Sequence, residues 1–148
     1  MADCEFVTAD DVKAWLRRGK YATMRIEELK ERKRIAESRM TITSRPLEKR
    51  ISRGRPSRGD DGLIAHVDYI SQIDAEIAEC NKTLTEISDA IRGIDGLLHR
   101  MVLVGKYVTL HAREKVADDI HRSTRQVDRI HNEAVDKLFV ILRQTNAA

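Results

Sequence analysis

One apolar pattern constrains this chain more than any other, because it repeats on almost strictly alternating steps of three and four residues from position 67 to position 101. Its members are Val67, Ile70, Ile73, Ile77, Cys80, Leu84, Ile87, Ile91, Ile94, Leu98 and Met101. This spacing puts one apolar side chain per turn on a single stripe of an α-helix, as in coiled coils. Gly96 readily adopts the left-handed conformation that ends helices, so the pattern predicts a long helix over about 62–94.

A second stripe of this kind lies near the N-terminus, if Lys33 is allowed one position. It consists of Val12, Trp15, Gly19, Ala22, Ile26, Leu29, Ala36 and Met40. Thr8 or Asp10 can cap the start of such a helix, and Pro46 excludes helix soon after its end. The stripe therefore predicts a first long helix over about 9–41.

Between the stripes, residues 42–61 hold both prolines and no periodic apolar face, which predicts a mobile connector. Two helices of similar length with one seam each then predict an antiparallel coiled-coil hairpin over 1–96. The connector is basic and can act as a phosphate clamp or simply keep the chain soluble. Its cations are Arg45, Lys49, Arg50, Arg53, Arg55 and Arg58.

Composition and short motifs exclude several classes of protein. The N-terminus is acidic and no apolar run reaches the roughly 18 residues of a membrane helix, so we expect a cytoplasmic protein with no membrane partner. Cys4 and Cys80 form no CxxC unit, and the histidines form no HExxH, which argues against a disulfide framework or a metal site. Without GxxxxGK, a nucleophile elbow or clustered carboxylates, the sequence predicts no enzyme and no cofactor.

From Leu97 onward the apolar periods become shorter and predict three helices, over about 97–108, over about 113–120 and from Ser123. The segment REKVADDIHRSTRQVDRI has the spacing of a helix-turn-helix. Ala117 is the small residue that lets the two helices cross closely, and His121-Arg122 is the turn. Ser123 caps the next helix with Gln126 as its capping-box partner. The apolar residues that pack the two helices together are Val116, Ile120, Val127 and Ile130.

Arg125, Arg129 and Asn132 share the outer face of that last helix. Arginine matches the two acceptors of guanine in the major groove, and asparagine matches adenine. Cations near the turn are placed to meet phosphate. The predicted DNA-binding residues are Arg113, Lys115, Arg122, Ser123, Thr124, Arg125, Gln126, Arg129 and Asn132.

The competing interpretation of this segment is a solvated surface, since capped helices with an arginine-rich outer face are common. Two residues count against DNA reading. His121 stands where glycine is preferred, although histidine can adopt a positive φ, and Asp128 lies within the reading face. Asp128 can still serve there by orienting Arg125 or Arg129, or by accepting from a cytosine amine.

The stretch from Leu97 to Leu138, above all LVGKYV, EKVADDI, STRQVDRIH and EAVDKL, resembles small phage-encoded transcription regulators of the RinA and ArpU type. Their C-terminus looks like region 4 of bacterial sigma factors, and their N-terminal pattern of two long helices is similar too. The resemblance implies a three-helix, sigma-region-4-like helix-turn-helix domain at 97–148. It also implies a cytoplasmic phage or prophage protein in a bacterial host that binds promoter DNA and switches on late genes.

Carried over by motif, the resemblance implies that Ala117 and Val127 hold the two helices together. It implies that a second set of residues faces DNA, namely Ser123, Arg125, Gln126, Arg129 and Asn132. The segment TLHARE replaces the usual turn and aromatic residue of the family. That departure affects the target sequence more than the fold.

Three functions remain open. The leading hypothesis is a transcription regulator that binds double-stranded DNA and uses the hairpin to form homo-oligomers or to meet host RNA polymerase. The second is a DNA-recognition subunit of phage packaging machinery, similar to a small terminase. The third is a coiled-coil adaptor without DNA affinity. A closed ring in solution favours packaging, whereas a dimer favours regulation.

Overall fold

The computed structural model describes residues 5–44 and 57–147, and within these ranges every regular element is an α-helix. In chain order they are α1 (Ala9–Ser44), α2 (Ser57–Arg92), α3 (Leu97–Tyr107), α4 (Arg113–Ile120) and α5 (Thr124–Ala147). The predicted all-α class is confirmed. Among these helices none has both the length and the apolar character needed to cross a membrane.

The C-terminus of α1 and the N-terminus of α2 both extend into residues predicted as connector. The predicted connector over 42–61 is therefore too long on both sides. α1 continues to Ser44, and α2 begins at Ser57. Gly62 therefore lies inside a helix, where glycine costs about 1 kcal/mol relative to alanine but does not forbid helix formation. The remaining residues, 45–56, lie outside the described part of the chain.

The break between α2 and α3 falls where the sequence predicts it. α2 ends at Arg92, and the N–H groups of Gly93 and Ile94 bond three residues back, at 3.1 and 3.0 Å. Gly96 precedes α3 with φ 109°, a conformation that L side chains rarely adopt. The conformation of Gly96 thus allows the chain to change direction between α2 and α3.

Contacts divide the chain into two compact units, a large unit of Met1–Thr23 with Asn81–Ala148 and a small unit of Met24–Cys80. The predicted domain boundary after residue 96 cuts through the large unit, because the start of α1 and the end of α2 share a core with α3 and α5. That boundary, as a division into domains, stays a prediction.

The small unit combines apolar packing with ion pairs. Its buried apolar side chains belong to the predicted stripes, namely Ile26, Leu29, Ala36 and Ile73. Arg25 Nε lies 2.6 Å from Glu76 Oε2, and Lys33 Nζ lies 2.9 Å from Asp74 Oδ1. In both pairs α1 supplies the cation and α2 the carboxylate.

The large unit is built around aliphatic residues from four helices. Its fully buried members include Leu16, Ile87, Ile91, Leu103 and Leu138. Leu16 is absent from the predicted stripe, because it follows Trp15 and falls outside the steps of three and four residues. It becomes buried because more than one helix packs against α1. Conversely, Val67 and Met101 belong to the predicted stripe but are exposed.

A second apolar cluster joins α3, α4 and α5. It contains Val102, Val116, Ala117, Ile120 and Val127, with Leu98 and Ile130 packed against it. A Cβ added to Gly105 of α3 would lie 2.8 Å from Val116 Cγ2, so a larger residue there would force the Val116 side chain to shift. Ala117 and Val127, which are predicted to hold the two helices together, are both buried in this cluster.

Candidate nucleic-acid interface

The turn between α4 and α5 is fixed by backbone hydrogen bonds. His121 adopts the left-handed conformation, with φ 56° and ψ 46°, as the sequence predicts for this position. Its N–H donates to the Asp118 carbonyl at 3.2 Å, and the Arg122 N–H donates to the Ala117 carbonyl at 3.0 Å. These bonds satisfy the last carbonyls of α4 and set the direction in which α5 leaves the turn.

A capping box begins α5. The Gln126 N–H donates to Ser123 Oγ at 3.2 Å, and the Ser123 N–H donates to Gln126 Oε1 at 3.1 Å. This predicted capping box is confirmed, and both residues are exposed. Thr124, the first residue of α5, is half-buried. The cap uses part of the hydrogen-bonding capacity of Ser123 and Gln126, which leaves the amide nitrogen of Gln126 to meet another group.

The outer face of α5 is exposed where the sequence predicts it. Arg125, Arg129 and Asn132 are exposed on steps of four and three residues, and the side chain of Arg129 is 80% accessible. The opposite side of the helix faces the cores, through buried Val127, Ala134 and Leu138. Two guanidinium groups and one amide therefore project together from a helix whose other side is held by packing.

Asp128 contacts α4 rather than its neighbours on α5. Its Oδ2 accepts a hydrogen bond from Arg113 Nη1 at 2.9 Å, and each side chain is 54% accessible. The expected contact of Asp128 with Arg125 or Arg129 is not the one observed. An exposed pair of this type contributes only about 0–1 kcal/mol, so a phosphate group can compete with Asp128 for Arg113.

The other predicted DNA-contacting cations differ in how far they are paired. Lys115 and Arg129 each lie near a carboxylate four residues along their own helix, at 3.5 and 3.3 Å. Arg122 and Arg125 are exposed, and their side chains have no ion pair or hydrogen bond with any residue in the described part of the chain. These two guanidinium groups have the fewest internal contacts to give up on binding.

A basic groove of about 490 Å³ adjoins this face of α5, and sequence reasoning missed it. α1 contributes Lys13, Arg17, Lys20 and Tyr21, α3 contributes Lys106 and Tyr107, and α5 contributes Asp128, His131 and Asn132. We call this set the basic groove. Asn132 and Asp128 belong to the groove and to α5 at once, so the groove continues the outer face of α5.

The wall of the basic groove includes a buried polar pair. Tyr107 Oη and His131 Nε2 lie 2.7 Å apart, and both residues are buried. Burial, with a smaller effect from the charge of Lys106, lowers the pKa of His131 to about 4, so this imidazole is neutral at pH 7. Burial also lowers the pKa of Lys106, an effect that Asp128 opposes and that Lys13, Arg17 and Lys20 reinforce.

The α1 cations of the groove carry a signal that was visible in the sequence. Lys13, Arg17 and Lys20 are spaced by four and three residues and therefore share one face of α1. On a helix with an apolar seam, such a polar face is ordinarily solvent-exposed. Only the packing of α1 beside α3 and α5 in the large unit turns that face into one side of a groove.

Other predicted features contribute no described side chain to this interface. Of the connector cations, Arg58 lies in α2, and the others, Arg45, Lys49, Arg50, Arg53 and Arg55, lie outside the described residues. Cys80 is a free thiol, and Cys4 is outside the described range. Among the described side chains, no three from His, Cys, Asp and Glu come together in a way that could hold a metal ion.

No protein-family model matches this chain, and neither the curated proteins nor the solved structures contain a match to it. A function for the chain must therefore be derived from its own residues.

Proposed function

We propose that the chain is a sequence-specific DNA-binding regulator of phage or prophage late transcription, which reads the major groove with α5. In this proposal α4 and α5 are a helix-turn-helix, and α1 and α2 form a helical hairpin. One observation carries the proposal. A helix with a capped start exposes Arg125, Arg129 and Asn132 on the side opposite its buried residues.

The chemistry of this face suits base recognition. A guanidinium group can donate to both O6 and N7 of guanine, and an asparagine amide can pair with N6 and N7 of adenine. From Arg125 to Asn132 the helix rises by roughly 10 Å, which corresponds to about three base pairs. A face of this length can specify a half-site, so a second copy would complete a longer target.

Phosphate contacts position the reading helix in this proposal. The Arg122 side chain lies beside the start of α5 and pairs with no described residue, while Arg113 and Lys115 lie on α4 in weak exposed pairs. Cations at the rim of a recognition helix fix its register on the duplex without carrying sequence information. Their contribution to affinity decreases as salt rises, because bound counterions are released from DNA when the protein binds.

A homo-oligomer formed through α1 and α2 is part of the same proposal. Val67 belongs to the apolar stripe of α2 but is 48% exposed, and Leu63 and Ile64 before it are exposed as well. Where the residues of an apolar stripe are exposed in one copy of the chain, a second copy can bury them. We include host RNA polymerase as a partner of a regulator of this type, as the resemblance to RinA and ArpU implies.

Selection from a random-sequence duplex pool tests the proposal, because the pool contains every short target and favours none of them at the start. We expect the wild-type chain to enrich one motif. Arg125→Ala and Arg129→Ala should each lose about 1–3 kcal/mol of discrimination at one position of it. Arg143→Ala is the matched control, because Arg143 is exposed on the same helix about 27 Å beyond Arg125 and should leave the motif unchanged.

If neither Arg125→Ala nor Arg129→Ala changed the enriched motif, α5 would not be the reading helix. If the wild-type chain bound no duplex at physiological salt, the adaptor interpretation would replace the proposal. The mass of the wild-type chain in solution separates the remaining alternative, since a closed ring of many subunits indicates a packaging subunit and a dimer indicates a regulator.

A further inference from the structure

The basic groove holds more positive charge than its own residues neutralise. Four of its side chains are cationic, namely Lys13, Arg17, Lys20 and Lys106, and one, Asp128, is a carboxylate. That carboxylate already accepts a hydrogen bond from Arg113, which lies outside the groove. Like charges gathered without partners repel one another, so the groove is predisposed to bind an anion.

The cations of the groove are also poorly paired within the chain. Lys13 has a carboxylate oxygen of Asp10 only at 4.0 Å. The side chains of Arg17 and Lys20 have no ion pair or hydrogen bond to any residue that the structure describes. The neighbouring Arg18, by contrast, lies 3.7 Å from Glu86 on α2. On α1, therefore, Arg18 is near a carboxylate of the fold, whereas the charges of Arg17 and Lys20 remain available to bind an anion.

We propose that the basic groove binds phosphate groups, and that their source is the sugar–phosphate backbone of the duplex read by α5. The choice of source rests on the proposed function, whereas the phosphate chemistry follows from the groove itself. The groove shares Asn132 with the outer face of α5, so a DNA strand lying along that face passes directly beside Lys13, Arg17 and Lys20.

The lining favours an extended polyanion over an apolar ligand. Among the described residues that line the groove, the aromatic rings are those of Tyr21, Tyr107 and His131, and Tyr107 is engaged with His131. Small-molecule pockets are mostly apolar with a few polar groups, which is the reverse of this lining. Cations repeated along a helix face instead resemble the non-specific part of a DNA interface, where each cation meets a phosphate.

The test compares two double variants of equal charge in duplex binding at several salt concentrations. Arg17→Gln with Lys20→Gln removes two groove cations. Arg18→Gln with Lys30→Gln removes two cations of α1 that are near carboxylates outside the groove. Loss of two phosphate contacts should reduce the slope of log K against log salt by about 1.8. Between about 50 and 200 mM salt the groove variant should then lose roughly 12-fold less affinity than the wild type.

The control variant should keep the wild-type slope, and the groove variant should enrich the same motif as the wild type. Equal slopes for the two variants would overturn the inference while leaving the proposed function intact. A changed motif with an unchanged slope would also overturn it, because the groove would then read bases. The proposed function has its own test in Arg125→Ala and Arg129→Ala, so the two failures are distinguishable.

A second measurement separates DNA from a free phosphate compound. An anion in the groove offsets the charges of Lys106 and Lys13, which lower the pKa of His131, so binding should raise that pKa. We expect a duplex to raise the His131 pKa, followed by NMR of its ring protons, far more than inorganic pyrophosphate at equal phosphate concentration. An equal or larger shift with pyrophosphate would overturn DNA as the source, and no shift with either probe would overturn the phosphate site.

Discussion

The outer face of α5 carries its polar groups in one row on a single helix, whereas the basic groove collects its cations from α1 and α3. On α5 two guanidinium groups are accompanied by an amide, Asn132, that can distinguish one base from another. In the groove, the cations Lys13, Arg17, Lys20 and Lys106 are spread over two helices instead of standing in one row. In the proposed function both surfaces attract DNA, and the row on α5 is the one whose donors and acceptors discriminate sequence.

In the proposed DNA interface, this difference separates the residues that set affinity from those that set specificity. Removing a groove cation should weaken binding to every duplex and reduce its dependence on salt. Removing Arg125 or Arg129 should instead change which duplex is preferred. The two surfaces meet at Asn132, so the comparison is sharpest when each is altered alone and then both together.

The largest effect is expected from breaking the support that the two surfaces share. Leu138 of α5 is fully buried in the core of the large unit. It anchors the helix that contributes residues to both the outer face of α5 and the basic groove. Leu138→Ala should lower the free energy of unfolding by about 2–5 kcal/mol, measured by denaturant unfolding. Val140→Ala, at a position 53% exposed on the same helix, should change it by less than about 0.5 kcal/mol. Comparable losses for the two variants would contradict the observed burial.

The next effect concerns the groove alone and depends on pH. The pKa of His131 is about 4 in the folded chain, because of burial and the charge of Lys106, and about 6.5 in the unfolded chain. Between these values the unfolded chain binds a proton that the folded chain does not. The contribution of His131 to the free energy of unfolding is therefore fully present above about pH 6.5 and is lost as the pH decreases toward 4.

From about pH 6.5 to about pH 5 we expect this histidine to remove about 1.5 kcal/mol from the free energy of unfolding. His131→Gln should flatten that dependence, while His121→Gln, at an exposed position, should retain it. Urea unfolding at the two pH values measures both. If the wild type and His131→Gln lost the same stability over this range, another group would be responsible.

How far the sequence could predict these features depends on how local their causes are. The capping box and the turn at His121 follow from residues within a few positions of one another, and the predictions for them are confirmed. The apolar stripes likewise follow from helical periodicity. Local chemistry was sufficient to predict that Arg125 and Arg129 are exposed.

The basic groove could not be predicted in this way, because its residues are brought together only by packing in the large unit. Lys13 and Lys106 are far apart in sequence, and no pattern in either segment indicates that the other lies close to it. The contact of Asp128 with Arg113 has the same origin, since the crossing of α4 and α5 decides which cation lies nearest. Periodicity shows which residues share a face of a helix, but it does not show which other residues pack against that face.

A smaller effect is expected from Ser123, whose hydroxyl caps the start of α5. Ser123→Ala removes the acceptor for the Gln126 N–H and should cost about 1 kcal/mol of stability. Ser71→Ala, at an exposed position inside α2, is the control and should be neutral or slightly stabilising, because alanine favours helix. Thermal unfolding of the two variants gives the comparison. Equal melting temperatures would mean that the cap contributes nothing measurable.

The smallest effect has the opposite sign and concerns the turn before α5. His121 is exposed and left-handed, a conformation that costs an L residue roughly 1 kcal/mol but costs glycine nothing. His121→Gly should therefore raise the melting temperature by roughly 2–4 °C, reduced somewhat because glycine also gains freedom in the unfolded chain. His111→Gly is the matched control, because His111 is exposed with an ordinary φ and should gain nothing. A gain at both positions, or at neither, would show that backbone strain at His121 is not what sets the stability of the turn.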